Sequence, residues 1–464
     1  MKDDKAAWSR PSERPGRFGG RIAGAAAVLA IAVATVLRLG DGQEGDPAPP
    51  GTITVEQEPD ASRSEERAHR EVAEDAAASS VSERLVRGWQ PLPDAPISAR
   101  SHHSAVWADD ELLLWGGTDR AREAQSDGAA YDPMTRSWRQ IPEAPIEGVA
   151  LYTLPAVWTG EEMLVWGGQG EERHAADPVA PAGAAYDPVD DSWRTLSPAP
   201  LTPRVAHTSV WTGEQMIVWG GYRRGEDGTW LAFEDGAAYE PQTDTWRMLE
   251  PAPLSARHTH TAIWTGRKMI IWAGNAASRE EGGEPRDHLD GAAYDPARGT
   301  WDEIAELSSG LRPPRVARRP VAVWTGHEMV VVGSLGDGLD APAVVSYEPA
   351  ADRWVELDPG PVGARRDSAV VWTGDLVVVW GGTSATGGLI SDGAAYAPES
   401  ERWHRIASQP AIRGESVTWI GDELVLWGGY EDGRRAAMGL ALPSSRLPST
   451  EGSDTPPRPD KEQP

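Results

Sequence analysis

The chain has 464 residues, with 44 Lys+Arg against 71 Asp+Glu and a formal net charge of −27. That balance argues against sequence-independent nucleic-acid binding, which needs a basic surface to neutralise phosphates. The absence of cysteine excludes disulfides, thiolate metal sites, cysteine nucleophiles and a lipid-modified cysteine anchor.

Only four of the basic residues are Lys (Lys2, Lys5, Lys268, Lys461), and Ala, Gly, Pro and Arg are abundant. This composition points to a GC-rich bacterial genome. The aromatic content is skewed to 22 Trp against 9 Tyr and 2 Phe, as expected when one Trp-bearing unit has been copied.

Residues 1–21 form a basic N-terminus with six Lys or Arg. An uncharged run, Ile22 to Leu37, follows and reads as an anchor or signal segment over 22–39. As a helix, 16 residues span roughly 24 Å, short of a hydrocarbon core of about 30 Å. Arg21 and Arg38 flank the run and can snorkel to make up the difference. A signal peptide cleaved after Ala32-Val33-Ala34 is the competing reading. Val36 and Leu37 extend the apolar run past that site and favour the uncleaved anchor. Basic residues before the run and Asp41, Glu44 and Asp46 after it place the N-terminus inside. Either reading exports the rest: a single-pass membrane protein with its main domain outside, or a secreted one. Residues 41–84 hold 12 acidic and 4 basic residues and read as a disordered linker.

From residue 86 one template recurs: Trp-Thr-Gly, a short apolar run, Trp-Gly-Gly, a variable loop, Asp-Gly-Ala-Ala-Tyr-Asp-Pro, then Trp. The first Trp is residue 107, 158, 211, 264, 324, 372 and 419, and the third is 89, 138, 193, 246, 301, 354 and 403. The second is 115, 166, 219, 272, 380 and 427, with Val332 in its place once. Each unit reads as four short strands, a to d, bounded by Gly, Pro and Asp. Trp89 is a strand-d Trp with no strands a to c before it, and the last unit lacks a strand-d Trp. Residues 86–92 are therefore expected to complete the last blade and close a ring. Residues 444–464 read as a disordered tail.

A four-stranded unit of about 50 residues, with a Gly pair after strand b, then a Tyr and a Trp, resembles the kelch repeat. The resemblance covers residues 86–443 and implies an all-β, seven-bladed kelch-type β-propeller, an architecture that leaves only short, protected edges. Tyr131, Tyr186, Tyr239, Tyr294, Tyr347 and Tyr396 fill the Tyr position, and Met438 replaces it in the last unit. Kelch-like propellers include copper radical oxidases resembling galactose oxidase, which need a Cys joined to a Tyr. A chain without Cys cannot be one.

Two polar positions repeat. Arg100, Arg204, Arg257, Arg315, Arg365 and Arg413 open strand a, and Asp127, Asp235, Asp290 and Asp392 open strand c. Strands a and c run parallel, so both sets lie at one end of the propeller. They read as structural Arg–Asp pairs, or alternatively as a ring of Arg holding an anion at the channel mouth. His103, His207 and His260 precede the inner Trp by four residues. They come from different blades, whereas ligands at about 2.0–2.1 Å must converge, so no metal and no cofactor are expected.

Residues outside the template are the better functional candidates, because the scaffold does not demand them. These are Tyr152, Tyr222, Arg223, Arg224, Trp230 and Phe233. From the second Trp to the Tyr, blades 2 to 4 measure 20, 20 and 22 residues against 15 or 16 elsewhere. Their long b–c loops lie at the end where kelch-like proteins commonly bind partners. The expectation is a non-enzymatic extracytoplasmic module that binds a protein or glycan. The alternative is a carbohydrate-active enzyme similar to sialic-acid mutarotase, using the channel mouth. No phosphate loop, zinc motif or nucleophile elbow occurs in the sequence.

Overall fold

The computed structural model describes residues 88–447, apart from 122, 147–153, 169–182, 226–228, 277–287, 308–319, 336–340, 366, 385, 407, 409–411, 414–415 and 432–433. The N-terminal basic region, the apolar segment 22–39, the acidic linker and the tail beyond 447 lie outside the described residues. Among the described residues, no helix is long and apolar enough to cross a membrane.

Among the described residues, seven four-stranded antiparallel sheets form the blades, and three small sheets of two or three strands lie in their connections. Blade 1 is Ser104–Ala108, Glu111–Trp115, Gly128–Asp132 and Ser137–Ile141, in the order a to d from the centre outward. Blade 3 is Thr208–Trp211, Met216–Trp219, Gly236–Glu240 and Thr245–Met248. Inner strands of neighbouring blades touch in cyclic order around the ring, and that of blade 7 (Ser416–Trp419) meets that of blade 1. The closure follows the sequence reading: Gln90 pairs with Ala441 and Pro91 with Leu440, adding the chain's first strand to blade 7.

The template residues have local causes. In the a–b turns the Thr hydroxyl accepts backbone N–H groups two and three residues on, as Thr159 does from Glu161 and Glu162 at 3.1 and 2.8 Å. The Gly after it sits at φ +99° in blade 2, a conformation L residues avoid. Between strands b and c the second Gly of the pair comes so close to the preceding d–a connection that a Cβ on Gly221 would lie 2.8 Å from Val205 O. Strand c then runs antiparallel to strand d, placing Tyr186 opposite Trp193, with ring centroids 5.1 Å apart.

Packing is organised by junction. Seven apolar clusters sit one at each blade–blade interface. Met163, Val165 and Tyr186 of blade 2, for example, pack on Val106, Leu113 and Trp115 of blade 1. At the closing junction Trp89, 4% exposed, lies in the cluster between blades 6 and 7, its ring 4.8 Å from Trp380. The strand-d Trp residues also reach backwards. The indole N–H groups of Trp138, Trp193, Trp246, Trp301, Trp354 and Trp403 all donate to a carbonyl of the connection preceding their blade, at 2.6 to 2.9 Å. The Trp copied through the chain therefore serves as both apolar filler and directional tie.

Candidate interaction site

At the end of the propeller carrying the d–a and b–c connections, four Arg–Asp pairs close the mouths of their blades. Arg100–Asp127, Arg204–Asp235, Arg257–Asp290 and Arg365–Asp392 lie at 2.7, 2.6, 2.9 and 2.8 Å. Each guanidinium is almost fully buried. Besides the carboxylate it donates to three backbone carbonyls, for Arg204 those of Thr202, Gly220 and Asp235. These groups staple the d–a connection to the b–c loop of the same blade, and their donors face inward. Arg315 lies outside the described residues, and so does the side chain of Arg413.

Two of the three histidines that precede the inner strands reach across to a neighbouring blade. His103 Nε2 lies 2.7 Å from Ser416 Oγ of blade 7, and His260 Nε2 lies 2.8 Å from Thr208 Oγ1 of blade 3. Burial pushes His103 and His207 down to about 3, with Arg100 and Arg204 adding to the effect. All three are therefore neutral packing groups at neutral pH. Trp219 and Trp427 meet His260 and His103 edge-on.

Blade 3 departs from the template. Its b–c loop folds into an extra hairpin, Tyr222–Arg224 against Trp230–Ala232, with Arg223 opposite Leu231. Trp230 and Leu231 are each 43% exposed, which makes Trp230 the one exposed Trp among the described residues. Tyr222 is buried. It meets Trp230 edge-on at 5.0 Å and His258 of the next connection at 4.6 Å. Beneath, Tyr222 forms a separate small apolar cluster with Val205 and Ala206. The backbone is tied on both sides, Tyr222 N–H donating to Val205 O and Phe233 N–H to Gly221 O, both at 2.9 Å. Phe233 lies under the guanidinium of Arg204, whose carbon is 3.9 Å from the ring centroid. Of the sequence candidates, Trp230 and Arg223 thus face solvent, while Tyr222 and Phe233 support them. Tyr152 and the side chain of Arg224 lie outside the described residues.

Two features of the propeller were not found from sequence. His102, Ala206, Thr259 and Asp367, each five residues before an inner Trp, have φ of 63°, 52°, 50° and 56°, a left-handed conformation that is costly for a β-branched residue such as Thr259. The strain turns each connection into its inner strand, and Thr259 N–H donates across the junction to Ala206 O at 3.1 Å. Gly414 at the same place in blade 7 was the available clue. The second feature is a set of outer-rim Arg networks, signalled by the repeated Trp-Arg pairs 138–139, 193–194 and 246–247.

Comparison with known proteins agrees with this architecture. The family model described as the attractin/LZTR1 beta-propeller matches residues 76–336, more than half of the chain. The chain belongs to this kelch-repeat β-propeller family. Among curated relatives it is 23% identical over 310 residues to kelch domain-containing protein 3 of Homo sapiens, covering 61% of this chain and 78% of the relative. Kelch-like protein 35 of Mus musculus is 26% identical over 231 residues, 50% of this chain and 35% of the relative. Beta-scruin of Limulus polyphemus is 25% identical over 164 residues, 34% of this chain and 17% of the relative.

Proposed function

We propose that this protein is a non-enzymatic binding module at a bacterial cell envelope that engages a protein partner through the blade 3 hairpin and its surroundings. The observation that carries the reading is Trp230, a large aromatic side chain that the repeat does not require, held half-exposed by a buried Tyr. Aromatic and Arg side chains at such positions are the usual anchors of protein interfaces, and kelch-repeat propellers typically serve as protein-binding modules. A glycan is the second partner class, because a flat exposed indole also suits a sugar ring. Trp230→Ala tests the site: binding should weaken by about 2 kcal/mol or more while the fold keeps its stability. The enzymatic alternative would need reactive carboxylates at the channel mouth. The four Asp there are engaged by buried guanidinium groups, which disfavours it.

The envelope location rests on the apolar run 22–37 with basic residues before it and acidic residues after it. A topology reporter fused at residue 445 should be active only if it works outside the cytoplasm. Activity of a strictly cytoplasmic reporter at that position would remove both the anchor and the signal-peptide readings.

A further inference from the structure

At two successive junctions one polar network repeats. Arg139, on the outer strand of blade 1, holds Glu111 of its own blade at 2.6 Å and the Tyr186 hydroxyl of blade 2 at 2.7 Å. Tyr186 donates in turn to Asp191 at 2.6 Å. Arg194 does the same with Glu162 and Tyr239, and Tyr239 donates to Asp244 at 2.7 Å.

The junction between blades 7 and 1 keeps the acceptors and changes the cation. Glu423 occupies the place of Glu111 and Glu162, four residues before the strand-b Trp, and Tyr131 the place of Tyr186 and Tyr239. On the closing strand the residue after Trp89 is Gln90, so that position supplies no guanidinium. Instead Arg136 stands where the other two networks have Asp191 and Asp244, in the c–d turn of blade 1. Its guanidinium donates to Pro91 O of the closing strand at 3.2 Å and lies 3.8 Å from Glu423 Oε1. Glu423 Oε2 and the Tyr131 hydroxyl are buried with no hydrogen-bond partner among the described residues.

We propose that this seam is a proton-tightened latch: with Glu423 charged, the ring is closed over a half-matched carboxylate and one long ion pair, and a proton on that carboxyl tightens the closing strand. A buried charge without full compensation costs more than the neutral acid, and protonation turns the carboxyl from an acceptor-only group into one that can donate an O–H. Burial raises the Glu423 carboxyl above the usual range, Arg136 opposes that, and Asp422 in its own turn reinforces it. Glu423 in turn acts on Tyr131 of blade 1, whose hydroxyl burial raises and which Arg136 and Asp132 also face. Because the folded carboxyl is the better base, its contribution to closure is present at low pH and lost as pH rises through the folded value. The polypeptide preceding Gly88 enters the ring through this strand, so the latch sits where that segment joins the propeller.

Hydrogen exchange on the full chain tests this. The seam peptides cover Trp89–Leu92 and Gly439–Pro443. Met269–Trp272 of blade 4 serves as internal reference, which removes the global acid effect of the buried histidines. Glu423→Gln, a neutral isostere, should slow seam exchange about tenfold relative to wild type at pH 7.5, with the gap closing as pH falls toward 5. Arg136→Gln should speed seam exchange strongly in the wild-type background and less in the Glu423→Gln background, since the ion pair is already gone. Glu423→Gln exchanging as fast as wild type at pH 7.5, or Arg136→Gln acting equally in both backgrounds, would overturn the latch.

Discussion

Trp219→Ala is expected to cost about 3–5 kcal/mol of folding stability, as truncation of a buried aromatic does. Trp219 is 1% exposed and sits on strand b of blade 3. It packs into the junction with blade 4 against Met269, Ile271 and Tyr294, and meets His260 and Trp301 at 5.1 and 6.2 Å. Urea unfolding of the purified variant measures the loss. A change below about 1 kcal/mol, within the range of ordinary surface substitutions and mild core changes, would show that the junctions are not where the stability of the ring resides.

The second large effect concerns closure. The fragment 86–443 is expected to fold by itself, and 95–443 to lose stable folding. The shorter fragment deletes Trp89 and its contact with Trp380, the pairing of Gln90 and Pro91 with Ala441 and Leu440, and the carbonyl of Pro93 that receives the Trp138 indole. It also bares Gly439–Pro443 as a sheet edge, an exposed template for misassociation. Thermal midpoints that coincide for the two fragments would contradict closure by this strand.

The seven units, their strand order and the closing strand were legible because each residue responsible for them recurs in register. A Thr-Gly that makes a turn, or a Tyr opposite a Trp, leaves the same mark in every copy. What escaped the sequence depends on contacts between copies. That the strand-d indole donates to the preceding connection follows from how blades lean on one another, which a one-dimensional template does not contain. The left-handed residues His102, Ala206, Thr259 and Asp367 share no side-chain chemistry, so the only sequence mark of their common backbone state was the single glycine, Gly414, at the same place in blade 7. At the blade 3 loop the sequence identified Trp230, Tyr222 and Phe233 as departures from the repeat. It did not show that Tyr222 would be buried behind Trp230, or Phe233 beneath Arg204, because the hairpin pairing had to be seen first.

Binding of a partner at the end of the molecule around Trp230 is tested by a titration of the purified partner against wild type and Trp230→Ala, with unfolding curves for both. The substitution is expected to weaken binding by about 2 kcal/mol or more and to leave the unfolding free energy within about 0.5 kcal/mol of wild type. Trp230 is 43% exposed and rests on a small cluster apart from the blade junctions. Unchanged affinity, or a loss of stability comparable to that of Trp219→Ala, would contradict it: the hairpin would then be packing for its own blade, and the binding surface would lie elsewhere.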